Sequence, residues 1–153
     1  MIEVRHYIGP SRIPGAGDGF FIDEPVRRGR VLVAPDPAVR RLSWDDIASL
    51  PTDSVEIRSS VRWYEERFVV NEAWTADCCI NHSFDPTALI HLGFVFARRE
   101  LERGTEITID YRLFLGEGWR MPFDDAVTGE PIIGCSWEES IRRSSEELSR
   151  IFA

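Results

Sequence analysis

Before its last twenty residues, this chain never carries an apolar run far without meeting a glycine, a proline or a charged side chain. It holds 11 Gly and 9 Pro in 153 residues. Punctuation that dense excludes long helices and favours many short strands joined by turns. The first runs read as strands over Ile2 to Ile8, Gly19 to Asp23 and Arg30 to Ala34, with a turn-rich stretch from Gly9 to Asp18 between the first two. Val55 to Trp63 and Phe68 to Asn71, rich in β-branched and aromatic side chains, read as further strands. Leu89 to Arg98 reads as one largely buried strand and Glu106 to Tyr111 as another. So many short strands imply a mainly β architecture of short curved sheets that closes on itself.

Helical signals are few. Ser43 with Asp46 three residues on resembles a capping box and predicts a short helix from Trp44 to Leu50. Ser136 with Glu139 predicts a second box, ahead of a C-terminal helix from Glu138 to Ile151 that packs a stripe of Trp137, Ile141, Ser144, Leu148 and Phe152. Leu115 to Ile132, which mixes Gly, Pro and acidic residues with Trp119 and Phe123, reads as a long ordered loop. With no repeat or linker and a 43% hydrophobic composition, residues 1–153 are expected to form one domain around one core.

Composition also bounds function. A formal net charge of −8 argues against a nucleic-acid partner and suits a cationic one, such as a basic protein or peptide. No apolar run approaches bilayer length, and Ile2 and Val4 alternate with Glu3 and Arg5 as in a strand; no membrane partner is expected, and a cytoplasmic location is the default. Cys78, Cys79 and Cys135 form neither an even disulfide framework nor a zinc spacing, so no metal site is expected. All 18 basic residues are arginine. Genomic bias is the plain account of that; the sharper one is that a lysine-modifying enzyme without lysines cannot modify itself.

Three segments carry the chemistry. Gly15-Ala16-Gly17-Asp18-Gly19-Phe20 is by itself a turn, lacking both the second interval of a dinucleotide fingerprint and the end of a phosphate loop. Asn81-His82-Ser83, with Pro86 following, offers an imidazole, but neither His6 nor His91 lies at a ligand spacing from it. Gly104-Thr105-Glu106-Ile107-Thr108-Ile109-Asp110-Tyr111 is a buried acidic strand ending in a tyrosine, which in any β protein can be a core residue.

In this order the three segments resemble the cofactor and catalytic motifs of the SET-domain lysine methyltransferases, over about Gly9 to Tyr111. The resemblance implies a SET-domain, β-clip-like fold in which the Asn81 and Tyr111 segments cross like a knot. It implies S-adenosyl-L-methionine as cofactor, bound by the main chain of Ala16, Gly17 and Asp18, by Asn81 at the amino-acid end and by the His82 main chain at the adenine edge. Tyr111 is implied as catalytic residue at the inner end of a lysine channel. Ile109 stands where relatives hold the aromatic residue that limits methylation, which implies that more than one methyl can be added. Tyr64, Trp63 and Phe68 are candidates for the channel wall. The zinc module that often closes the site in this family is absent here, and Trp119 or Phe123 is proposed to cover the adenine instead. Asp18, Cys78 and Thr87 depart from the family pattern. They suit the competing expectation, a catalytically weak or inactive SET-like module that binds proteins; a small amine as acceptor is a third.

Overall fold

Strands of two to five residues cannot build a wide sheet, and the chain distributes its backbone pairing over four small ones. The computed structural model describes residues 1–153. The strands are β1 (His6–Pro10), β2 (Asp18–Ile22), β3 (Val31–Val33), β4 (Arg40–Ser43), β5 (Val61–Tyr64) and β6 (Arg67–Val70), then β7 (Asn81–His82), β8 (Ala88–His91), β9 (Phe94–Ala97) and β10 (Glu106–Ile109), and last β11 (Arg120–Asp124) and β12 (Pro131–Ile133). Three α-helices, α1 (Trp44–Ala48), α2 (Val55–Arg58) and α3 (Trp137–Phe152), complete the fold. The sheets run β1-β2-β10-β7, β3-β9-β8, β4-β6-β5 and β11-β12.

The β1-β2-β10-β7 sheet places the site. Its β1-β2 hairpin is antiparallel, β10 pairs antiparallel with β2, and β7 then lies parallel to β10, with Asn81 opposite Thr108 and His82 opposite Ile109. Two segments far apart in sequence thus run side by side at its edge. Phe20, Ile22, Ile107 and Ile109 enter a core cluster of 18 residues that also gathers Leu32, Ile80, Ile90, Val95 and Ile132. A second, three-residue core of Ile47, Phe68 and Val70 lies under β4-β6-β5.

Several expectations are corrected. Leu89 to Arg98 is a hairpin and not one strand: β8 and β9 pair Ile90 with Val95, and Leu92 and Gly93, at φ 50 and 79, supply the left-handed pair that a tight two-residue turn needs. Val55 to Trp63 begins as α2, because the Ser54 side chain caps the Ile57 N–H, and becomes β5 only at Val61. Strand β4 was not expected at all. The loop from Leu115 to Ile132 holds the strand β11 and the start of the β11-β12 hairpin. Ile2 contributes only an isolated bridge to Val33, and the first strand starts at His6.

The helices follow their caps. Ser43 and Asp46 form the full reciprocal box, but Ser136 accepts the Glu139 N–H without a return bond, because the Glu139 carboxylate is engaged by Arg142. The most buried residues of α3 are Ser140, Ser144 and Ile151: of the expected stripe Ser144 is buried, Trp137, Ile141 and Leu148 are half-buried, and Phe152 is exposed. Small residues take the deep positions because α3 lies close to the chain it covers. Ser140 Oγ donates to Leu113 O at 2.5 Å, and Ser144 Oγ lies 2.8 Å from His91 Nδ1.

Candidate active site

Glu106, at the start of β10, organises the first side of the site. Its side chain is buried, and each oxygen is occupied: Oε1 accepts from Ser11 Oγ at 2.6 Å and from Asn81 Nδ2 at 3.2 Å, while Oε2 accepts the Arg12 N–H at 2.8 Å. The glycine loop from Ser11 to Gly17, closed by the Ser11 N–H on Gly17 O, is thereby tied to the Asn81 segment. Asn81 Nδ2 also donates to Asp18 O at 2.9 Å. Gly19 has to be a glycine here, since a Cβ would stand 2.5 Å from Glu106 Oε1.

The second side is the crossing itself. Strand β10 ends where the Asp110 side chain caps the short 3-10 turn Tyr111–Leu113. Asp110 is buried and held by Arg112, and Arg143 reaches it from α3 at 3.2 Å. The hydrogen bond from Arg112 to Asp110 raises the Arg112 guanidinium pKa further. Tyr111 is fixed at two points: its hydroxyl donates to Ile80 O at 2.8 Å, and its backbone N–H donates to His82 Nδ1 at 3.1 Å. Burial pushes the phenol's ionisation well above its usual range, with Cys78 and Cys79 adding to the effect, so Tyr111 stays a neutral phenol at physiological pH. Burial also lowers the His82 pKa, against the opposing pull of Asp110 and Asp125.

These elements enclose one large cavity of about 1080 Å³. Ala16, Asn81, His82, Ile109 and Tyr111 line it, and Trp119 and Phe123 of the C-terminal hairpin stand on its wall. So do Trp63 and Phe68. Gly17, Asp18 and Tyr64 do not line it; Gly17 and Asp18 are exposed beside it, and Tyr64 lies edge-on to Trp63. Cys78 lines the cavity beside Asn71 and Thr75. Thr87 does not: its hydroxyl donates to Glu106 O and accepts the Thr108 N–H, clamping β10 from behind. No group of three or more His, Cys, Asp or Glu residues is arranged to hold a metal ion. No helix is long and apolar enough to cross a membrane.

Sequence reasoning missed Glu106 as a hub and missed Asp125 altogether. Asp125 is buried between β11 and β12, where its carboxylate accepts the N–H groups of Val127 and Thr128. Burial opposes its ionisation, but those bonds, with a smaller pull from His82, hold its pKa below the ordinary value. The Asp-Ala-Val-Thr-Gly run was the available signal, a turn in which a carboxylate caps its own backbone.

The fold has solved counterparts. A crystal structure of a Plasmodium falciparum candidate histone methyltransferase matches with a TM-score of 0.53 at 19% identity, over 77% of this chain and 98% of that one. No family model and no curated protein matches the sequence. The fold is mainly β, of the SET type, with small sheets and a C-terminal helix.

Proposed function

We propose that this chain transfers a methyl group from S-adenosylmethionine to a lysine amine of a basic protein or peptide. One observation carries the reading: Ala16, Asn81, His82 and Tyr111, from three separate stretches of chain, border a single cavity. Its volume of about 1080 Å³ leaves room for a nucleoside-sized donor and an entering side chain. Its walls are largely apolar and aromatic, and Asp36 and Asp77 offer carboxylates to a cationic sulfonium, while Asp124 is paired with Arg120 and Arg58 lies over the Trp74 ring. Strand β7 is the outermost in its sheet, so the far-side main-chain groups of Asn81 and His82 are not taken up by another strand and suit an adenine edge. With Nδ2 of Asn81 committed to Asp18 and Glu106, its Oδ1 is the atom to meet the donor's amino end. Trp119 and Phe123, on the cavity wall, are the candidates to cover the adenine.

When bound, the donor supplies an electrophilic methyl group: the S–CH₃ bond breaks as an N–CH₃ bond forms, the sulfonium becomes a thioether, and the amine nitrogen takes the positive charge. The residues of this chain orient the reactants. Tyr111 donates its hydroxyl hydrogen bond to Ile80 O, which leaves the oxygen lone pairs, the negative end of a fixed dipole, for the transfer path, where positive charge moves. A neutral phenol is not a strong base, and none is required. Apolar walls lower the pKa of an entering ammonium, which gives its proton to water before attack. Ile109 offers no hydroxyl to restrain the amine, so products with more than one methyl are expected by mass spectrometry.

A second reading, a protein-binding module without turnover, is favoured by the Asn81 amide's being engaged inside the protein. Absence of S-adenosylmethionine binding by calorimetry would exclude the enzyme, since a protein that does not bind the donor cannot transfer its methyl group. The decisive assay incubates the protein with labelled donor and a basic-protein extract and identifies the modified residue. Lysine labelling is expected; donor binding without any labelled amine would favour the second reading.

A further inference from the structure

We propose that Asp125 is a positioning residue for Tyr111: its carboxylate keeps the proton of the neutral His82 ring on Nε2, leaving Nδ1 free to accept the Tyr111 backbone N–H. A backbone N–H can only donate, so the Nδ1 atom 3.1 Å from it must present a lone pair. A neutral ring then carries its proton on Nε2. That atom is buried and has no hydrogen-bond partner, and it faces Asp125 Oδ1 at 3.7 Å. This is longer than a hydrogen bond, but the pair is sealed: the two side chains are 3% and 4% exposed. The field of a carboxylate acts at that range with little screening.

Asp125 is itself held for the task. Its Oδ2 accepts the Val127 N–H at 3.1 Å and the Thr128 N–H at 2.7 Å, which leaves Oδ1 toward the imidazole. Of the ring's remaining neighbours, the Ile109 carbonyl pulls the same way as the carboxylates and already accepts the Ser83 N–H. Phe84 meets the imidazole edge-on at 4.6 Å and the Tyr111 ring lies at 5.3 Å. Of the other charged groups that act on it, the Asp110 carboxylate is satisfied by Arg112 and Arg143, and the Arg112 guanidinium opposes a charge on the ring. Burial keeps the ring neutral near pH 7, as the arrangement requires. The C-terminal hairpin, outside the motif-bearing stretch, therefore latches the tyrosine through two residues.

The test is Asp125→Asn. Asparagine keeps an oxygen for the Val127 and Thr128 N–H groups but turns an N–H₂ toward the ring, which moves the ring proton to Nδ1 and sets it against the Tyr111 N–H. Nitrogen-15 spectra of the imidazoles near neutral pH are expected to show His82 as the Nε2–H form in the wild type and as the Nδ1–H form in the variant. The Tyr111 amide is expected to exchange roughly tenfold faster in the variant. The consequence for turnover rests on the methyltransferase reading: kcat falls roughly tenfold to a hundredfold, as small displacements at a transfer site do, while donor affinity by calorimetry is unchanged. A wild-type ring protonated on Nδ1 overturns the proposal without any variant, and so does a folded Asp125→Asn protein with unaltered tautomer and Tyr111 exchange. Wild-type protein with the expected tautomer but no turnover supports the latch and removes the proposed function instead.

Discussion

The β1-β2-β10-β7 sheet and the β4-β6-β5 sheet face the same cavity but are held by different physics. The first is specified by buried polar groups with assigned partners: Glu106 on Ser11, Arg12 and Asn81; Asp110 on Arg112 and Arg143; Tyr111 on Ile80 and His82. The second rests on the three-residue core of Ile47, Phe68 and Val70, with Trp44 tilted onto Phe68. Its one deep polar anchor is Arg62, whose Nη2 donates to the carbonyls of Leu115 and Cys135. Polar networks admit one geometry, whereas apolar cores accept many of similar volume. The end of the cavity that holds Tyr111 is therefore the more rigidly specified, and the β4-β6-β5 wall is the more tolerant of substitution.

The largest effect is expected where the apolar wall is emptied. Phe68→Ala removes a fully buried ring and should cost about 3–5 kcal/mol in chemical denaturation; a loss well under 1 kcal/mol would show that the second core contributes little and would break the comparison. Tyr111→Phe probes the polar end. Turnover should fall about 10²–10³-fold, with only about 1 kcal/mol of stability lost with the bond to Ile80. Retained turnover in that variant would remove Tyr111 from the mechanism.

Gly19→Ala sharpens the contrast, because the added methyl meets Glu106 Oε1, which three hydrogen bonds to that carboxylate keep from yielding. Destabilisation of about 1–3 kcal/mol by thermal unfolding, together with weaker donor binding, is expected. The smallest effect is that of pH. The folded pKa of His82 lies below its ordinary 6.5, so the unfolded chain binds the proton more readily, and stability falls as pH drops from about 6.5 toward the folded value. The slope from this one group is at most about 1.4 kcal/mol per pH unit. In His82→Phe this component should vanish from the pH dependence of the melting temperature.

Much of the fold was legible because its signals are local. The Ser43-Asp46 box, the C-terminal helix and the short strands follow from side-chain type at fixed spacing. The misreadings were local signals in conflict. Leu92 adopts φ 50 without being a glycine, so an apolar run concealed a turn, and the β-branched Val55 and Ile57 concealed a helix that the Ser54 cap imposes. At the site, Asn81, His82 and Tyr111 stood out in their motifs. Glu106 did not look like a hub, because its three partners lie in other segments.

By itself the sequence determined that the chain builds many short strands and where most of them lie, that three motif-bearing segments occur in order, and that acidic charge exceeds basic. Spacing and composition act over a few residues, and they suffice for that much. Only the tertiary structure decided that Asn81 and Tyr111 run side by side, that Trp63 and Phe68 reach the cavity while Tyr64 does not, and that a carboxylate from the C-terminal hairpin meets His82. The reason is that burial, hydrogen-bond pairing and the protonation of a buried ring depend on neighbours that only the folding of distant segments brings into contact.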